Sequence, residues 1–267
     1  MNHLRELIIT AGHGRADTYP LNVPAIQHVS TLAFRAPVTI LIGENGSGKS
    51  TLLEAMALAI GSVVIGREEA AHDQSLKAVQ PLVDVMKLVW NQRTHRGFFM
   101  RAEDFLGFVQ RLRTMRYEML DEIQRIDQDY ADRSDYAKTL AKSPTSSSLS
   151  AMTQSYGTDL DANSHGESFL TVFQSRFVPG GLYLLDEPEA ALSPLRQMGL
   201  ISLIKQMVTQ DAQFIIATHS PILMAIPGAE ILDLDQKPPA LIDYHQIEQV
   251  KLYRSFLSDP EAFVRRL

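Results

Sequence analysis

The sequence predicts an α/β fold: a mostly parallel sheet flanked by helices, with an antiparallel β portion near the N-terminus and a helical insertion. Three observations carry that expectation. Val38–Ile42, Leu182–Leu185 and Gln213–Ala217 are short apolar runs with little alternation, as strands covered on both faces require. Helix-forming stretches stand between these runs, and strands that alternate with helices build parallel sheets. A glycine-rich turn, Gly43-Glu44-Asn45-Gly46-Ser47-Gly48-Lys49-Ser50-Thr51, joins the first of them directly to a helix-forming run, Leu52–Ala59.

The elements follow in order. Residues 4–10 read as a first strand, and Gly12, Gly14, Pro20 and Pro24 punctuate an irregular segment before a strand pair at Leu32–Phe34 and Val38–Ile42. Arg15 and Tyr19 in that segment are either ordinary loop residues or contacts for an adenine or a phosphate. Residues 62–90 have helical texture, with Pro81 opening a second piece over Leu82–Trp90 by the preference of proline for the first helical turn. Gly97–Arg101 reads as a short strand. From Glu103 onward, Phe105, Val109, Leu112, Met119, Ile123, Ile126 and Tyr130 recur at spacings of three and four, with Arg116 in the slot between Leu112 and Met119. Under four repeats of such a stripe predict an antiparallel helical arm or a packed helix. Residues 142–163 are serine-rich and poor in bulky apolar side chains, and read as a mobile loop or a segment that orders on binding. Ser164–Ser168 opens a helix over Phe169–Phe177. Pro179-Gly180-Gly181 then turns into the strand that ends in Asp186-Glu187. Pro194–Val208 reads as a helix, Gln213–Ser220 as a buried parallel strand with His219 near its tip, and Glu230–Leu234 with Leu241–Tyr244 as a closing hairpin. A helical stretch ends the chain at Arg265-Arg266.

Composition bounds the function. The 267 residues are 45% hydrophobic and 21% charged, ordinary for a globular domain large enough to bury a core. Cysteine is absent, so disulfides and thiolate metal sites are excluded. No stretch approaches the roughly 20 apolar residues of a membrane span, and Met1–Glu6 lacks a basic-then-apolar leader pattern, so no membrane insertion and a cytoplasmic protein are expected. A net charge of −6 disfavours a uniformly basic nucleic-acid binder. Locally, Arg93, Arg96, Arg101, Arg111, Arg113 and Arg116 face only Glu103 and Asp104. That cluster is either a solvated helix face or a contact for a phosphate backbone.

The turn at Gly43–Thr51 fits G-x-x-x-x-G-K-[ST] between a strand and a helix. Its glycines let successive N–H groups face phosphate oxygens, and the helix N-terminus adds the positive end of its dipole. Lys49 would reach the β- and γ-phosphates of a nucleoside triphosphate, and Ser50 would offer its hydroxyl to Mg²⁺. Ligands of such sheets lie at the carboxyl ends of the strands, where Asp186, Glu187 and His219 also fall. Asp186 can hold Mg²⁺, directly or through water. Glu187 can orient or deprotonate an attacking water, and His219 can sense the γ-phosphate. A satisfied buried histidine and a helix-capping acid pair are the plain alternatives for these residues.

With these residues in hand, the chain resembles the ABC-type P-loop ATPases, in particular the soluble SMC, RecN and OLD-like branch grouped loosely with AAA-family ATPases. The resemblance spans nearly the whole chain. Gly43–Thr51 looks like the Walker A motif, and Leu182–Glu187 followed by Pro188–Pro194 looks like the Walker B motif and D-loop. Thr218-His219-Ser220 looks like the switch-histidine segment. Asn163-Ser164-His165-Gly166-Glu167 is similar to the L-S-G-G-Q signature, with His165 in place of the first glycine. The resemblance implies one ATPase domain, its ATP-binding lobe at 1–61 and 166–267 and its helical subdomain inserted at 62–165. It further implies ATP and Mg²⁺ as cofactors, hydrolysis of ATP to ADP and phosphate, and a head-to-tail homodimer in which Ser164 and Gly166 contact the γ-phosphate held by the other copy. A plain capping box of Ser164 and Glu167 fits the same residues. Two departures stand out: Phe98–Asp104 lacks the expected loop glutamine, with Arg101 and Glu103 there and Gln110 further on, and Ser193 stands where an aspartate is common. The expected role is a switch in a nucleic-acid-linked or defence process, with nucleic acid or another protein as partner. A transporter's nucleotide-binding subunit and a non-catalytic ATP-gated scaffold are the alternatives.

Overall fold

The computed structural model describes residues 2–10, 18–65, 74–156 and 165–265. Two sheets enclose the P-loop helix between them. The smaller sheet is antiparallel with strand order β2-β1-β4. It is built from β1 (Leu4–Ile9), β2 (Thr31–Ala33) and β4 (Met86–Trp90), with Leu7 opposite both Leu32 and Leu88. The larger sheet contains β3 (Val38–Ile42), β5 (Gly97–Arg101), β6 (Leu182–Asp186), β7 (Gln213–Ala217), β8 (Glu230–Asp233) and β9 (Ala240–Leu241). Its order is β5-β6-β7-β3-β8-β9, parallel throughout except for the final antiparallel pair.

Alternation inside the apolar runs explains why both faces of this sheet are covered. Val38, Ile40 and Ile42 point to one core with Tyr183, Leu185, Phe214 and Ile216. Leu41, Leu184, Ile215 and Ala217 point to the other. The second core is filled by α2 (Lys49–Ile60), whose Leu52, Leu53, Ala55 and Met56 lie between the two sheets with Leu4, Leu7 and Ile9 of β1. Burying apolar area on both sides is the main stabilising term for such a sheet, about 25 cal/mol per Å². The sheets are also joined by one polar clasp. The fully buried amide of Gln213 accepts from Leu4 N at 2.8 Å and donates to Leu4 O at 2.9 Å, completing the strand's backbone bonds as another strand would.

The first core is closed by helices. After the short α1 (Pro24–His28) and α3 (Gln80–Val83) come the long α4 (Ala102–Asp129) and α5 (Asp135–Tyr156). They are followed by α6 (His165–Arg176), α7 (Pro194–Val208), the short α8 (Pro221–Met224), and α9 (Glu248–Ser258) with α10 (Pro260–Val264). Phe105, Val109 and Leu112 of α4 pack against Val172 and Phe173 of α6 and Leu200 and Ile204 of α7. Beyond Met119, which still packs against the core, the α4–α5 pair continues as an antiparallel arm. A 28-residue helix is about 42 Å long, so most of α4 stands free of the sheet. The arm is pinned across its length by Thr145 donating to Glu122 at 3.1 Å and by the Lys142–Asp127 ion pair.

Several expectations are corrected here. Residues 62–90 are not helical throughout: Met86–Trp90 is β4, because its apolar side chains complete the antiparallel sheet beside β1, and Val64 bridges to Phe99. Residues 142–156 are helix, part of α5, since Met152 and Tyr156 pack into the first core and outweigh the serines and Pro144. The closing pair shrinks to Glu230–Asp233 with Ala240–Leu241, and β8 also pairs with β3 in parallel. The helical arm, the helix over Pro194–Val208, the Gly97–Arg101 strand and the mostly parallel sheet stand where expected. Gly97 has a specific reason to be glycine: at φ +113° a Cβ would lie 1.9 Å from Leu182 O.

Candidate nucleotide-binding site

The register of the sheet aligns its carboxyl ends. Arg101 is opposite Asp186, Asp186 opposite Ala217, and Leu41 opposite Ala217 on the other side. Whatever follows these residues therefore emerges on one edge, and the segments that follow are Gly43–Thr51, Glu187 and His219.

The loop wraps because Gly43, Gly46 and Gly48 adopt φ +149°, +82° and +110°. Gly48 also admits Val23, whose Cγ1 would be 2.5 Å from a Cβ there. Gly48 is the N-cap of α2, provides no side chain to cap it, and no acid stands in the first turn. The N–H groups of that turn thus keep their attraction for an anion. Lys49 is buried and donates to Gly43 O at 2.9 Å and Glu44 O at 3.0 Å. Burial lowers its pKa, while Glu187, Asp186, Asp235 and Glu189 pull in the opposite sense. Four acids around one lysine make a site with anionic walls that a metal ion would offset. Asp235, which motif reading missed, fastens the loop from the turn after β8 by accepting from Glu44 N at 2.7 Å. Tyr19 lies against α2, its hydroxyl 3.4 Å from Thr51 Oγ1, while Arg15 is outside the described residues. Glu44 and Asn45 lie at the mouth of the loop, and Ser47 is buried with an unpartnered hydroxyl.

Asp186 is buried, and desolvation raises its pKa from 3.8 to about 7, with a Ser50 hydrogen bond acting in the other direction. Its Oδ1 has no hydrogen-bond partner. A buried carboxylate oxygen left without a donor, beside a serine hydroxyl, is the oxygen chemistry Mg²⁺ takes when phosphates and waters complete its shell. The residues present fit that ion. Among the described residues no group of three or more His, Cys, Asp or Glu is placed to hold a metal.

Glu187 sits at φ 50°, ψ 50°, a left-handed conformation that is strained for a residue with a Cβ and more so before Pro188. Its backbone N–H donates to Ala217 O at 2.9 Å, which holds it beside the end of β7. Strain of this kind persists only where surrounding contacts impose it. The result is a carboxylate 3.7 Å from His219 Nε2.

Arg101, at the end of β5, turns inward. It pairs with Glu54 of α2 at 3.0 Å and with Asp104 of α4 at 2.8 Å. It therefore ties the start of the arm to the helix that carries Lys49 and Ser50. Sequence reading noticed Arg101 but had no signal for Glu54, which lies one helical turn after Ser50 and shows its role only when β5 lies alongside. Glu103 and Gln110 are exposed. The six arginines do not share one patch: Arg93 and Arg96 precede β5 at the opposite end of the strand, and Arg101 is engaged by the two acids. Ser164 lies outside the described residues, and Gly166 falls in the first turn of α6.

Among the described residues no helix is long and apolar enough to cross a membrane. Residues 22–146 match the family model described as "AAA domain", and residues 168–225 match "AAA domain, putative AbiEii toxin, Type IV TA system". No curated protein matches the chain. Similar solved structures include an Smc head domain from Pyrococcus furiosus, bound to the C-terminal domain of ScpA, at 12% identity. That match covers 96% of this chain and 100% of the other, with a TM-score of 0.45. A nucleotide-free ATP-binding cassette of an ABC transporter matches at 16% identity over 98% and 97%, with a TM-score of 0.46. Part of an ABC transporter complex from Clostridium perfringens matches at 13% over 100% of both chains, with a TM-score of 0.44. One AAA-domain match lies over the phosphate loop in its strand–loop–helix setting and another over the strand bearing Asp186 and the segment bearing His219, so the chain is similar to AAA domains over both stretches that supply the site.

Proposed function

We propose that the protein binds ATP with Mg²⁺ and hydrolyses it to ADP and phosphate, and that ATP joins two copies head to tail into a switch. The observation that supports this best is the meeting of Lys49, Ser50, Asp186, Glu187 and His219 at one edge of the sheet. In this reading Gly43–Thr51 cradles the phosphates, and Lys49 leaves the carbonyls of Gly43 and Glu44 for the β- and γ-phosphates. Ser50 and Asp186 hold Mg²⁺, which when bound neutralises charge on the phosphate oxygens. Glu187 orients or deprotonates the attacking water, and His219 senses the γ-phosphate. Ser164 and Gly166 contact the γ-phosphate held by the second copy. The domain division of 1–61 with 166–267 and an insertion of 62–165 belongs to the same proposal, with Met86–Trp90 and Gly97–Arg101 of the insertion contributing to the sheets.

A cytoplasmic switch in a nucleic-acid-linked or defence process is the role we infer, and the description of the family matched over residues 168–225 is in keeping with defence. The test is the Glu187→Gln variant, weighed in solution with and without Mg-ATP. A doubling of mass with ATP is expected, and a monomer at micromolar concentration would sink the dimer. Phosphate release by the unaltered protein tests hydrolysis separately. Its stimulation by duplex DNA at low salt tests the nucleic-acid partner.

A further inference from the structure

His219 stands just past the end of β7, where the ladder stops: Thr218 N still donates to Leu41 O at 3.2 Å, and the next residue has no strand partner. Its imidazole Nε2 has no hydrogen bond either. At 3.7 Å, Glu187 lies beyond hydrogen-bond range, so no direct bond from that nitrogen holds the ring over it.

What is held instead is the backbone, by two side chains from distant parts of the chain. Glu189 Oε1, in the turn that follows Glu187, accepts from His219 N at 2.6 Å and from Ser220 N at 3.1 Å. Gln249 Nε2, on α9, donates to His219 O at 2.8 Å. The following residue is fixed as well, with Ser220 Oγ donating to Gln197 Oε1 at 2.5 Å and capping the N–H groups of Ile222 and Leu223. A carboxylate bonded to two N–H groups is a charge-assisted contact, roughly twice as strong as a neutral one.

We propose that Glu189 and Gln249 are positioning residues that set the His219 imidazole over Glu187, one gripping its N–H and the other its C=O. The inference rests on the reading of His219 given above. Neither residue needs to touch nucleotide. Glu189 makes the acid turn and the histidine segment move as one piece, and Gln249 makes α9 part of the hydrolytic apparatus.

The test uses the full chain with Mg-ATP. Gln249→Glu is nearly isosteric but turns the donor into an acceptor, and it is expected to lower kcat about tenfold through misplacement of the ring. KM, equilibrium ATP binding and melting temperature should stay close to those of the parent. Gln249→Lys restores a donor and should recover most of kcat, and Glu189→Gln, which keeps an acceptor oxygen for His219 N and Ser220 N but loses the charge, should move the His219 ring signals less than Gln249→Glu. In protein labelled at histidine nitrogens, the His219 ring signals should shift in Gln249→Glu and return in Gln249→Lys, a readout that needs no turnover. An unchanged kcat with unmoved ring signals would overturn the proposal, as would a loss of ATP binding equal to the loss of kcat. His219→Ala separates the two readings. If it retains full turnover, the role given to His219 fails; if it is crippled while Gln249→Glu is normal in rate and spectrum, only the clamp fails.

Discussion

The carboxyl edge of the parallel sheet and the α4–α5 arm are made by opposite means. At the sheet edge, position is dictated by register: neighbouring strands share hydrogen bonds, both faces are buried, and a residue one step past a strand end has little freedom. On the arm, position is dictated by an apolar stripe that is buried in the core at Phe105, Val109, Leu112 and Met152, with Phe108, Met119 and Tyr156 packed against it. Further out, Tyr117 is 58% exposed, Tyr136 78% and Leu140 63%. The first region brings the side chains of Lys49, Ser50, Asp186, Glu187 and His219 to one edge, whereas the outer part of the second buries little apolar surface. Arg101 joins them, since its two ion pairs run to α2 and to the root of the arm.

The contrast can be broken at several points. Lys49→Ala is expected to lower ATP turnover by about 10³-fold, the scale of losing one preorganised charge at a transferring phosphoryl group. Tyr136→Ala at the arm tip should leave the rate unchanged, and equal losses in the two would remove the distinction. In stability, Phe173→Ala should cost about 4 kcal/mol in denaturant unfolding, because that ring is fully buried and stacks on Phe105 at 5.3 Å. Leu140→Ala on the arm should cost less than about 0.5 kcal/mol.

Asp186 sharpens the comparison through pH. Its pKa is raised in the folded protein from 3.8 to about 7, so folding favours the protonated carboxyl. The folded state therefore binds more protons than the unfolded one between these values, and stability of the metal-free protein falls as pH rises from about 4 through 7. Asp186→Asn should flatten that slope and raise the melting temperature at pH 8 by roughly 5 °C, while Mg²⁺ should lose its effect on the melting curve. A variant that melts lower than the parent at pH 8 would contradict the burial argument.

The smallest effect is local. Pro144 lies inside α5 and removes one helix hydrogen bond. Pro144→Ala should slow amide exchange over residues 140–148 without changing turnover, and a change in turnover would mean that the arm is coupled to the site more tightly than its exposure implies.

Much of the sheet was legible because its strands are runs of buried apolar residues ended by glycine or acid, a pattern that follows directly from covering both faces. The phosphate loop was legible for a related reason: a backbone that must curl around an anion needs its glycines at fixed spacing. Gly97–Arg101 and Pro194–Val208 were readable from local sequence, and the helix from Glu103 from its spacings of three and four. Met86–Trp90 was not, since its side chains are half-buried and a strand of the smaller sheet acquires its meaning from β1, far away in the chain. The serine-rich part of α5 was misread because composition carries no trace of α4 and α6, whose surfaces supply the burial that its own residues lack.

By itself, then, the sequence determined the strand that carries the phosphate loop, the acids that end β6 and the histidine that follows β7, because local periodicity and turn chemistry act over a few residues. The tertiary structure alone decided that Glu54 faces Arg101, that Asp235 grips Glu44, and that Glu189 and Gln249 meet at His219. Such pairs join residues from 30 to 191 positions apart. At those separations no local pattern exists to read, and proximity comes only from the packing of the sheet.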